Sequence, residues 1–252
     1  MGAARLLLGA LLLAGCRLGY DVPAGGDGDG DGGATADAGS RDGQGGDGDG
    51  GAGAPDAGGT TTVDLSGTGV TRDTALNSFA ATLNYGGGAT FNVRDSAVST
   101  FTGLLAFDLT GAVDPDRAVV SASIDVTTGT MALSGGEIEV YRVLEDWVEG
   151  NGTGTTGVAN YAMRTGALPW LAPGCGDGSR EAVPLATFAP VDTGTTYTIS
   201  LPPAVVEAWA DDPSSNHGVA LVAAGTGNDT VVFIASEGGD TDRPRIRVVL
   251  AP

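Results

Sequence analysis

The 252-residue sequence predicts an all-β protein built as a β-sandwich behind an export signal and a linker, and three observations carry that expectation. Short segments in its last 190 or so residues alternate apolar and polar side chains with a period of two. Gly-, Asp- and Thr-rich turns separate them, and helical periodicity is scarce. Spaced short strands with turn chemistry between them describe a sandwich.

Val120-Ser121-Ala122-Ser123-Ile124-Asp125-Val126-Thr127 alternates strictly, which predicts Val120, Ala122, Ile124 and Val126 on one buried face. Arg245 to Leu250 repeats the pattern with Ile246, Val248 and Leu250 inward. The runs Gly218 to Ala224 and Thr230 to Ala235 are apolar on both parities, as strands covered on two sides require. Further strands are expected at Ala89 to Arg94, Leu104 to Leu109, Glu137 to Val143 and Thr195 to Leu201. One helix is expected, Pro202 to Ala210, with proline at its start and Val205 and Trp209 one turn apart.

The first residues predict export. Arg5 supplies a positive charge, Leu6 to Leu13 is apolar, and Leu13-Ala14-Gly15-Cys16 forms a lipobox. Eight or so apolar residues are too few to span a bilayer, which takes about 20, so residues 1–15 are expected to be a lipoprotein signal peptide with Cys16 as the lipidated residue. Two or three acyl chains on Cys16 would anchor the chain stably to a membrane. Arg17 stands where many Gram-negative lipoproteins retained at the inner membrane carry Asp, which points to the outer membrane or cell surface. Lipidation of Cys16 would leave Cys175 with no intrachain partner; in Pro173-Gly174-Cys175-Gly176 it reads as a small residue in a turn.

Residues 16–59 read as a disordered Gly/Asp-rich tether. Between positions 17 and 60 there are nine Asp against two Arg, a local charge of −7. A chain so poor in apolar groups cannot offset its ordering entropy, and its random-coil span is roughly 35–40 Å. Asp27-Gly28-Asp29-Gly30-Asp31-Gly32 matches the opening of an EF-hand loop, but the twelfth position is Ala38 in place of an acidic ligand, so it reads as solvated linker. Residues 60–252 form the folded domain.

Inventory excludes most catalysis. The chain has one histidine, His217, and no Lys, P-loop or nucleophile elbow, so no catalytic residue is assigned. Polysaccharide cleavage needs only two carboxylates and so stays open, but it is the least favoured reading because the large catalytic scaffold common among such enzymes is missing. The last 192 residues hold 22 acids against nine Arg, a net charge of −13, which disfavours anionic polysaccharide, and no nucleic-acid partner is expected. Trp147 and Trp209 read as core anchors. Tyr161, Trp170 and Tyr85 are the candidate rings for stacking on sugar faces.

Several segments in order resemble the DNRLRE domain: Arg72-Asp73-Thr74, Asn84-Tyr85-Gly86, Leu105 to Leu109, Val140 to Val143 leading to Trp147-Val148-Glu149, Asn216-His217-Gly218, Phe233 to Glu237, and Arg243-Pro244-Arg245. The resemblance spans about residues 70 to 250. The sequence departs from the family's pattern at Ala159, where an aromatic is often found, and in its lack of Lys. That family is related to carbohydrate-binding module family 96, so the resemblance implies a jelly-roll form of the sandwich and glycan binding. It also implies a structural calcium, with Asp73 and Glu237 as first ligands to examine and Asp108 as a further one. The expected function is therefore a surface-anchored, non-catalytic module binding extracellular or envelope polysaccharide, with a neutral or calcium-bridged glycan preferred. The alternative is a structural or adhesive surface protein with a protein or matrix partner.

Overall fold

The structure, a computed structural model, describes residues 59–130, 136–225 and 229–252. The signal peptide, Cys16 and the Asp27–Gly32 segment lie outside the described residues. Thirteen strands and one α-helix follow one another: β1 (Thr61–Ser66), β2 (Thr71–Asn77), β3 (Leu83–Asn84), β4 (Thr90–Asp95), β5 (Thr100–Phe107), β6 (Val119–Thr127), β7 (Glu137–Arg142), β8 (Thr155–Thr156), β9 (Ala186–Phe188), β10 (Thr196–Leu201), α1 (Pro203–Asp211), β11 (Val219–Ala224), β12 (Asp229–Ile234) and β13 (Arg245–Leu250). A short 3-10 turn, Pro213–Ser215, follows α1.

All the strand pairings are antiparallel. One sheet runs β1-β13-β6-β10; the larger runs β12-β4-β5-β11-β7-β9, with β2 added to β5; β3 and β8 form a small separate pair. The all-β sandwich expected from the sequence is the fold observed. Its main core lies between the sheets: Phe91, Leu105 and Phe107 come from the larger sheet, and Ile124, Val126 and Val248 from the smaller.

The larger sheet is covered on its other face as well. Leu76, Leu104, Ala106 and Ala220 form a second cluster there with Trp147, Trp170 and Cys175, which belong to the long connection between β7 and β9. In β11 this explains a run apolar on both parities, where Val219, Ala220 and Leu221 are all buried; in β12 Val231, Val232 and Phe233 are buried too, with the Gly129 N–H donating to the Val232 carbonyl at 2.7 Å. Each such side chain removes apolar area from water worth about 1.5–3 kcal/mol when it is large.

Val120 departs from its expected inward position and is 55% exposed. The cause is a register shift: β13 pairs Val249 with Ser121 but Leu250 with Val119, so Val120 is the extra residue of a bulge. A bulge breaks the period of two, and Val119 takes the inward place. The helix begins one residue later than expected, with Pro202 as its cap and Pro203 in the first turn, where the missing N–H costs nothing. Its buried residues are Val206 and Trp209, while Val205 is only partly buried against the core. Glu207 ties the helix to the smaller sheet by accepting the Val119 N–H at 2.9 Å.

Trp147 is fully buried, as expected of an anchor, although its neighbours Leu144 and Val148 are each 46% exposed. The indole N–H donates to the His217 carbonyl at 2.9 Å, and the Arg72 guanidinium lies 4.9 Å from the ring centroid. Arg72 also donates to the Trp147 carbonyl at 2.7 Å. These contacts fix the start of the long connection against β2, which places Glu149.

Candidate functional site: a carboxylate triad beside a cavity

β2 pairs only with β5, so the N–H groups on its other side have no ladder partner. The Asp73 N–H is satisfied instead by the Glu149 carboxylate, which accepts it at 2.5 Å. The Asp73 side chain turns inward, is 1% exposed, and accepts the Ser236 N–H at 2.7 Å. Ser236 Oγ in turn donates to the Glu237 carboxylate at 3.0 Å. One carboxylate oxygen from each of Asp73, Glu149 and Glu237 lies within 4.8 Å of the others. β2, the start of the β7–β9 connection and the turn after β12 therefore bring three acids together from distant parts of the chain.

Asn84 holds Glu149 from behind. Its fully buried amide donates to the Glu149 carbonyl at 2.6 Å and to the Ala159 carbonyl at 2.9 Å, and its oxygen accepts the Gly152 N–H at 2.7 Å. Gly86 is required at this crossing, because a Cβ there would stand 2.3 Å from the Glu149 carbonyl oxygen.

The electrostatics of the triad are unbalanced. No ion pair to Asp73, Glu149 or Glu237 forms within 4.0 Å among the described residues. Burial pushes the Asp73 carboxyl up to about 7 from its ordinary 3.8; the Ser236 N–H opposes the rise and the Glu237 charge adds to it. Burial likewise raises Glu149 to about 7 from 4.5, against the Asp73 N–H and with the repulsion of Asp73 and Glu237. Such a group of acids holds protons or a cation near neutral pH. The donors are all oxygens and carry up to three negative charges, the chemistry of a hard divalent cation such as calcium. Asp73, Glu149 and Glu237 thus fit a calcium ion, with carbonyls or water needed to complete its six to eight ligands.

The resemblance to the DNRLRE domain had implied two of the three acids, Asp73 and Glu237, as calcium ligands. Glu149 was visible only as the end of the Trp147-Val148-Glu149 segment, and no spacing rule connects it with Asp73. Asp108 does not join the triad. It is exposed, its carboxylate accepts the Thr110 N–H at 2.9 Å, and that hydrogen bond holds its carboxyl below the usual value.

The three candidate sugar-stacking rings do not form an exposed platform. Trp170 is 3% exposed and donates its indole N–H to the Asn160 carbonyl, which corrects the expectation that it faces solvent. It is drawn into the second core because the connection carrying it closes over the larger sheet. Tyr161 and Tyr85 are half-buried; Tyr161 packs against that same cluster, whereas Tyr85 packs against the main core and accepts the Asn77 amide N–H at 3.0 Å.

The open space lies elsewhere. A cavity of about 380 Å³ is lined by Thr71, Arg72, Asp108, Glu149, Trp209 and Asn216 among others. A second hollow of about 500 Å³ adjoins it and shares Leu109, Thr110 and Pro213 with it.

No protein-family model matches the chain, and no curated protein matches it.

His217 and Cys175 have structural surroundings. His217 leads into β11, its carbonyl serves Trp147, and burial lowers its pKa while the nearby Asp146 charge opposes that. Cys175 is buried at φ +55°, and burial pushes its thiol up to about 12.

Proposed function

We propose that this chain is a non-catalytic binding module for extracellular or envelope polysaccharide, held at a membrane surface by a lipidated Cys16 and carrying a calcium ion at Asp73, Glu149 and Glu237. The observation that carries the reading is the open, largely polar cavity on a β-sandwich whose neighbouring acids lack basic partners. Pockets of this size with a few converging polar groups on a rigid frame are the usual form of a ligand site. Calcium would supply charge neutralisation and pin three distant segments; Asp73 and Glu149 are oriented for it by the Ser236 N–H and the Asp73 N–H. Among the described residues no helix is long and apolar enough to cross a membrane, so attachment rests on the lipobox.

Affinity electrophoresis of the full chain through neutral and acidic polysaccharides, in calcium and in chelator, tests this. Retardation by a neutral polysaccharide is expected. Free migration through every gel, together with retention on a protein partner, would instead favour a structural or adhesive role. Exposed apolar residues support that second reading: Phe79, Val98, Leu171, Val183 and Val191 are each more than 70% exposed. Release of new reducing ends from the polysaccharide would reveal cleavage and overturn the non-catalytic assignment. Mass spectrometry of the native amino terminus tests the anchor, which an unacylated terminus would refute.

A further inference from the structure

The two hollows share Leu109, Thr110 and Pro213, so they adjoin as the two arms of a cleft, with the exposed Thr110 at the waist between them. From this we infer that the cleft, and not the Tyr161 and Trp170 face, is the binding site, and that it takes an extended segment of a neutral glycan chain. This rests on the polysaccharide-binding reading above and specifies where and what the module binds.

Its shape selects a chain segment. Thr68, Arg72 and Glu149 are among the residues that line one arm, and Val113, Pro115 and Ala210 of α1 are among those that line the other. Two contiguous hollows accommodate consecutive units of a chain, whereas a single sugar would occupy one. The chemistry of the walls selects sugar. Thr68 and Thr110 are exposed and offer hydroxyls, Asp108 offers an exposed carboxylate, and the exposed Pro115 and Pro213 offer apolar surface to C–H faces, while Leu109 and Val113 beneath them belong to the core.

The charge selects a neutral one. Arg72 is the only basic residue in either lining, and its guanidinium is already committed to the Trp147 carbonyl, the Trp147 ring and Asp146 at 3.6 Å. Asp108 and Asp114, both exposed, remain to repel an anionic polymer. Two further polar atoms belong to the walls and lack partners: Thr71 Oγ1 and Trp209 Nε1 are buried with no hydrogen-bond partner, on residues 3% and 2% exposed. Buried polar groups left unsatisfied are rare and costly, and these two border the same hollow.

The test uses the full chain and a panel of neutral polysaccharides, namely hydroxyethyl cellulose, dextran and mannan, in affinity gels. Thr110→Arg fills the waist from an exposed position, and Thr68→Arg obstructs one arm; circular dichroism checks that each is folded. We expect the binding constant for the retarding polysaccharide to fall at least tenfold in Thr110→Arg, with Tyr161→Ala unchanged. Competing oligosaccharides of that polymer should gain strength with length beyond one unit. Retardation that survives both Arg variants, or is lost only in Tyr161→Ala, overturns the cleft while leaving polysaccharide binding standing. A monosaccharide that competes as well as longer oligomers overturns the extended site. Failure of every neutral polysaccharide to retard the unaltered chain overturns this inference, and free migration through acidic polysaccharides as well overturns the reading beneath it.

Discussion

The Glu149 carboxylate accepts the backbone N–H of Asp73 at 2.5 Å, so one acid caps the exposed side of an edge strand while the side chain of the other points into the protein. The arrangement leaves two carboxyls raised to about 7 and a third beside them, with no basic partner. The predictions below follow from this imbalance and from the contacts that enforce it.

Calcium should stabilise the chain, and the triad should be where it acts. Binding to the native state alone contributes about 2.7 kcal/mol at a hundredfold excess over Kd. Thermal unfolding in chelator and then in excess calcium should therefore show a rise of several degrees. In Glu149→Gln the rise should shrink sharply, although that variant should be more stable than the unaltered chain in chelator at pH 8, because a desolvated charge has been removed. A melting temperature that ignores calcium would count against the ion.

Without calcium, stability should fall as pH rises. Asp73 and Glu149 have folded-state values near 7, against ordinary values of 3.8 and 4.5, so the native state binds more protons than the unfolded chain between about pH 4 and 7. Stability then declines across that window and levels off above it. Urea midpoints in chelator from pH 4 to 8 measure the slope attributable to the triad as the difference between the unaltered chain and the Asp73→Asn, Glu149→Gln double variant. Saturating calcium should flatten that difference by holding both carboxylates ionised.

Asn84→Leu should be severely destabilising. The change deletes the donors to the Glu149 and Ala159 carbonyls and the acceptor for the Gly152 N–H, leaving buried backbone groups unsatisfied at about 1–3 kcal/mol each. A loss on the order of 3–5 kcal/mol is expected in chemical denaturation. If the variant folds, it should also lose most of its response to calcium, because Glu149 is no longer held; a loss below 1 kcal/mol would show that Asn84 is not the support described.

Cys175 should be inert in the native chain. It is buried, and its thiol is pushed up to about 12, so little thiolate forms at pH 8. A thiol reagent should leave it unmodified over hours and label it promptly after denaturation. Prompt native labelling would mean that the connection over the larger sheet opens readily.

Much of the strand pattern was legible because each strand is read locally. Ile246, Val248 and Leu250 point inward as their alternation requires, and the two runs apolar on both parities are covered on both faces. Legibility ended where pairing intervened. Val120 has the right chemistry and the right parity, but a bulge opposite Leu250 turns it outward, and only the partner strand's register reveals that. Trp170 follows a different logic: a Trp in a Gly-rich segment reads as exposed, yet the segment folds back as a lid on the second core.

By itself, the sequence determined the all-β class, the place of α1 along the chain and a strongly acidic composition, since each depends on composition or on neighbours within one segment. Tertiary structure alone decided that Glu149 joins Asp73 and Glu237, that Asp108 instead borders a cleft, and that Tyr85, Tyr161 and Trp170 are half-buried or buried. These are meetings between residues up to 164 positions apart. Their distances are set by how sheets and connections pack, and no local pattern encodes such a distance.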